Sequence, residues 1–152
     1  MLVKLIAAAT LAGLAMFGVA KAGETAEPGY YTDQKVVYHN DGGHDGPAYF
    51  KRMLGSIRNH VEALGRDHVQ IRVVDHGDGV TLFKLAQEDK VLAERIDALK
   101  SDGVRFLICA NTLNEREINW KTLYGVSEQD IVPSGVAELA RLQQMGFVYV
   151  HL

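Results

Sequence analysis

The apolar residues of this chain arrive in short β-branched runs separated by stretches of helical spacing, and few folds accept that alternation. Lys35-Val36-Val37-Tyr38-His39, Val69-Gln70-Ile71-Arg72-Val73-Val74 and Gly103-Val104-Arg105-Phe106-Leu107-Ile108 read as strands. Between the first two, Phe50, Met53, Leu54, Ile57, Val61 and Leu64 lie on one face of a helix, which Gly65 stops. Leu85, Leu92, Ile96 and Leu99 predict a second helix ending near Ser101-Asp102-Gly103. Ile118, Leu123 and Tyr124 predict a weaker helical piece that stops near Gly125. A short strand at Ile131-Val132, a helix carrying Val136, Leu139, Ala140 and Gln143, and a strand at Phe147-Val148-Tyr149-Val150 complete the series. Strand and helix alternate with no hairpin signal between them. The expected fold is α/β: a single-domain three-layer sandwich with a mostly parallel central sheet of about five strands and helices on both faces.

The first residues stand outside that pattern. Lys4 precedes an uncharged apolar run from Leu5 to Ala20, and Ala20-Lys21-Ala22 has the small-x-small form of a cleavage site. Residues 1–22 read as a secretory signal peptide cut before Gly23. A retained anchor is the rival, but the run is shorter than the ~20 residues that span a bilayer. Residues 23–34 read as a flexible lead-in and 35–152 as the folded domain. The expected location is outside the cytoplasm, in the periplasm. The net charge of −3 becomes −5 once Lys4 and Lys21 leave with the signal. With no basic cluster either, no nucleic-acid partner is expected, nor any membrane partner after signal removal.

In a parallel sheet, the residues just past each strand share one edge. Here they are His39-Asn40-Asp41-Gly42-Gly43, Asp75-His76-Gly77-Asp78-Gly79, Cys109-Ala110-Asn111-Thr112 and Pro133-Ser134-Gly135. Polar, small and titratable groups collect there, and open α/β sheets bind ligands at that edge. Cys109 is the only cysteine. It ends a strand and precedes a stretch able to begin a helix, whose amino terminus favours a thiolate. A buried filler of space is the competing role. His39, Asn40, His76, Asn111 and Ser134 are the candidate supporting residues. Each also has an ordinary structural role: strand-end hydrogen bonding for the histidines, helix capping for Asn111 and Ser134. His39, His44 and His76 with an aspartate match no metal-ligand spacing, so neither metal nor other cofactor is expected. Gly77-Asp78-Gly79 reads as a turn, and Trp120 and Tyr124 as packing residues, at a subunit contact.

Three segments together resemble the DsrE/DsrF-like sulfur-transfer family, in its small single-domain branch: Asp75-His76-Gly77-x-Gly79-Val80, Gly103-Val104-x-Phe106-x-x-Cys109-x-Asn111-Thr112-Leu113 and Val132-Pro133-Ser134-Gly135-Val136-x-Glu138-Leu139. The likeness extends over roughly Lys35 to Val150. It implies a parallel α/β fold and assembly into homo-trimers or homo-hexamers. It also implies a cysteine after the third strand that takes sulfane sulfur as a persulfide, a position Cys109 occupies. The partners implied are a sulfane-sulfur donor and a thiol acceptor, small molecule or protein. The rival reading is a non-catalytic oligomeric module that binds a small ligand or a partner protein, with Cys109 structural. A metal-dependent hydrolase built on the histidines is the third.

Overall fold

Five strands, all parallel, form the sheet in the order β4-β3-β2-β1-β5 in the computed structural model, which describes residues 29–152. The strands are β1 (Gln34–Asn40), β2 (Val69–Asp75), β3 (Arg105–Cys109), β4 (Ile131–Val132) and β5 (Val148–His151). The helices are α1 (Pro47–Leu64), α2 (Thr81–Leu85), α3 (Lys90–Ser101), α4 (Ala110–Glu115) and α5 (Gly135–Gln144). The signal-peptide reading of residues 1–22 and most of the lead-in lie outside the described residues. Among those described, no helix is long and apolar enough to cross a membrane.

Strand order and the handedness of crossovers decide which face each helix covers. From β1 to β4 the chain steps one way across the sheet, and right-handed connections put the intervening helices on one face. The step from β4 to β5 runs back past β1, so the same rule sends α5 to the other face. The core divides accordingly. Val36, Tyr38, Ile71, Val73, Phe106 and Ile108 meet Phe50, Met53, Ile57, Phe83, Leu92 and Ile96 in the larger cluster. Val37, Val74 and Leu107 meet Leu139, Leu142 and Phe147 of the α5 layer in a smaller one. Alternation along each strand therefore sorts side chains between two chemically different layers.

Two helical expectations need correction. The second helix is not continuous from Leu85. A 3-10 turn (Gly77–Val80) and α2 end before α3 begins, and Asp89 caps α3 by accepting from the Val91 and Leu92 N–H groups. That cap resets the chain, and Leu85 and Leu92 lie on separate helices. Ile118, Leu123 and Tyr124 are not on a helix. The helix in this region is α4, which starts at once after Cys109, and only a 3-10 turn (Trp120–Thr122) lies near Leu123. The three residues, with Trp120, pack on the larger cluster from a loop.

Candidate functional site

The α5 face of the sheet carries a row of reactive groups at its carboxyl edge. Parity along each strand produces it. Val37 and His39 of β1 point to one side, as do Val74 and, past the end of β2, His76. Leu107 and Cys109 of β3 follow, with Tyr149 and His151 of β5 opposite Val37 and His39. His39 and His76 rings stack with centroids 4.7 Å apart, and their Nε2 atoms are 2.6 Å apart in a hydrogen bond. The Tyr149 hydroxyl lies 2.6 Å from His39 Nδ1. The His151 ring tilts against His39 at 4.9 Å, and its Nε2 lies 3.0 Å from Asp41 Oδ1. Burial, followed by the charge of His76, holds the His39 imidazole below its ordinary range. Burial raises the Asp41 carboxyl, but the His151 hydrogen bond and the His39 and His151 charges outweigh it and hold the group low.

Cys109 closes the other end of the row. It is the N-cap of α4, and the residue is buried, 5% exposed. Gly135, the first residue of α5, packs on it: a Cβ there would stand 3.2 Å from Cys109 Cβ and 2.9 Å from His76 Cβ. Burial raises the thiol, but hydrogen bonding more than offsets it and leaves the group below its ordinary value. The groups that favour the thiolate are the main-chain N–H groups of Thr112, Gly135 and Asn111 and the Thr112 hydroxyl. The Thr112 oxygen accepts from the Gly77 N–H at 2.9 Å, which leaves its proton for the sulfur. Two helix amino termini thus converge on one sulfur, an arrangement that stabilises the anion.

The candidate residues divide. His39, His76 and Cys109 share the α5 face of the edge. Asn40 does not join them. It is fully buried on the opposite face, where its Nδ2 donates to Asp75 Oδ1 at 2.7 Å and to the Gly79 carbonyl at 3.2 Å. Its Oδ1 accepts from the Gly42 N–H, so it fixes the loops after β1 and β2. Asp75 is fully buried, and desolvation pushes its carboxyl well above the usual range against the Asn40 hydrogen bond and the Lys100 charge. Asn111 is exposed and reaches the sulfur through its main chain. Ser134 caps α5 by accepting from the Ala137 N–H. Asp41, Thr112, Tyr149 and His151 were not singled out from sequence. A fifth parallel strand delivers its last residues to the same edge, and extending the edge reading to β5 would have found Tyr149 and His151. Surface grooves elsewhere offer less: the 220 Å³ groove lined by Leu54, Arg58, Glu94 and Arg95 carries no nucleophile.

Fold and edge together define a small open α/β protein with a thiol under two helix amino termini and a histidine row beside it. The chain belongs to the DsrE/DsrF-like family, whose model matches residues 5–152. Among solved structures it is similar to MTH1491, a protein of unknown function from Methanobacterium thermoautotrophicum. The match has 26% identity and a TM-score of 0.66, and covers 79% of this chain and 100% of that one. No curated protein matches.

Proposed function

We propose that this protein is a sulfur carrier that holds sulfane sulfur as a persulfide on Cys109. The observation that carries the reading is the pair of helix starts at Cys109, which is the N-cap of α4 and has Gly135, the first residue of α5, packed against it. They favour the thiolate, the form that attacks. The thiolate forms an S–S bond to the sulfane sulfur of a polysulfide or thiosulfonate, and the donor's own S–S bond breaks. Its electron pair leaves with the shortened polysulfide or the sulfinate. The outer sulfur of the Cys109 persulfide then bonds to an acceptor thiolate. The carrier bond breaks and the Cys109 thiolate returns, so the cycle needs no cofactor and no external oxidant. The same helix starts serve the thiolate before transfer and after release. His76 packs on Gly135 as Cys109 does, so its side chain borders the same helix start.

The reading includes export, from the signal-like leader, and a homo-trimer or homo-hexamer. The exposed apolar residues Val136, Met145, Val148 and Leu152 of α5 and the end of the chain around edge strand β5 supply surface suited to such contacts. The rival is a non-catalytic binding module with a structural thiol, favoured by the 5% exposure of Cys109. One experiment separates them. The protein is treated anaerobically with polysulfide and its intact mass measured, beside native thiol alkylation across pH. The carrier gains one sulfur that cyanide removes and Cys109→Ser does not take, and it alkylates while folded with a midpoint below that of a free thiol. No adduct, with alkylation only on unfolding, leaves the structural role.

A further inference from the structure

We propose that His39, Asp41 and His151 form a binding site for a divalent first-row transition metal, with zinc as the reference ion. The geometry comes first. One donor atom from each residue lies within 4.8 Å of the other two, and the Asp41 Oδ1 to His151 Nε2 separation is 3.0 Å. Donors on a tetrahedral zinc, with arms of about 2.0–2.1 Å, stand about 3.3 Å apart. The Asp41–His151 edge is already near that span, and the other two separations, at most 4.8 Å, exceed it by no more than about 1.5 Å. Two imidazoles and a carboxylate are a donor set for zinc and its neighbours rather than for calcium or magnesium.

The place in the fold is a second, independent observation. In the order β4-β3-β2-β1-β5 the connections leave β1 in one direction and reach β5 from the other, so the topological switch falls between β1 and β5. Ligands of open α/β sheets enter the crevice beyond the strand ends at such a point. His39 and Asp41 come from the end of β1 and its loop, and His151 from the end of β5, paired with His39 in the sheet register. The ligands therefore stand on the two strands that wall the crevice. The His151 and Asp41 side chains are 45% and 41% exposed, which leaves the site open to an entering ion. Three protein ligands also leave a fourth position for water or a small anion.

The neighbours take defined roles. His76 Nε2, at 2.6 Å from His39 Nε2, is too close to ligate the same ion through that pair of atoms. The Tyr149 hydroxyl holds the other ring nitrogen of His39. When His39 ligates, it releases one of these partners and keeps the other, and a hydrogen-bonded second nitrogen is what fixes a ligating imidazole. None of the three ligands is needed for sulfur chemistry at Cys109, so the site stands or falls separately from the carrier reading.

The test uses the full chain, without affinity tag, stripped with chelator and titrated with zinc by calorimetry. Metal content is read after dialysis, and cobalt(II) spectra follow. One ion per chain is expected. Asp41→Asn and His151→Gln each weaken binding by more than the ~10–100-fold that loss of an outer partner costs. Cys109→Ser and the outlying His44→Gln leave binding unchanged. Cobalt gives visible bands of tetrahedral type without a thiolate charge-transfer band. Circular dichroism of each variant separates lost ligation from lost fold, and a variant that unfolds is replaced by Asp41→Ser or His151→Asn. Binding that survives both ligand substitutions, binding abolished by Cys109→Ser, or no binding to the folded wild type overturns the proposal.

Discussion

Asp75→Asn tests whether the end of β2 buries a neutral acid. The carboxyl is fully buried, Oδ1 accepts from Asn40, and Oδ2 has no hydrogen-bond partner. Burial pushes the group well above the ordinary carboxylate range. The unfolded chain loses that proton near pH ~3.9. Above that pH the folded protein holds a proton that the unfolded chain has given up. Stability therefore falls as pH rises from the unfolded value towards the folded one. The limiting slope is about 1.4 kcal/mol per pH unit. Asparagine has the same shape, accepts the Asn40 hydrogen bond through its own Oδ1 and does not titrate. Urea unfolding of both proteins, at about pH 5 and about pH 6, reads the difference, with equal m-values required for the comparison. The stability of Asp75→Asn relative to wild type is expected to grow over that step, with about 1.4 kcal/mol as the ceiling. His39 and the other groups titrate alike in both proteins and cancel. Parallel curves would mean that Asp75 is ionised in the fold, and the reasoning from desolvation would fail.

Thr112→Val removes the hydroxyl that faces the Cys109 sulfur. The pH midpoint of native alkylation is expected to rise, and the orphaned Gly77 N–H to cost about 1–3 kcal/mol of stability. An unchanged midpoint would show that the hydroxyl does not stabilise the thiolate. Gly79→Ala puts a Cβ 2.0 Å from the Asn40 carbonyl oxygen, which backbone cannot yield. It is expected to cost more than ~4 kcal/mol, whereas Gly103→Ala, at φ +88° with open space around it, costs only the ~1–2 kcal/mol of a left-handed backbone. Thermal unfolding of the pair checks this, and equal losses would refute the steric argument.

Much of the site was legible because strand parity is local. His39 and Cys109 each end a continuous apolar run that announces its strand, and the edge follows from parallel pairing. The supporting roles were less legible. Asn40 and His39 are adjacent in sequence, yet one faces the α1 layer and the other the α5 layer, a consequence of period two that a list of edge residues ignores. Thr112 stands in the segment after Cys109 with no role legible from its neighbours, and its value lies in the Gly77 N–H that orients it across the fold.

By itself the chain's periodicity determined the layers: β-branched runs must be buried on both sides, and amphipathic stretches must cover them. It also determined that a lone thiol stands at a strand end beside polar loops. Strand order was decided only in three dimensions, because pairing between segments far apart in sequence depends on how whole faces pack. Placing β5 against β1 brought Tyr149 and His151 to His39, and seating α5 on the far face brought Gly135 onto Cys109 and His76. The chemistry at this edge is a property of those long-range contacts, which no local stretch of residues encodes.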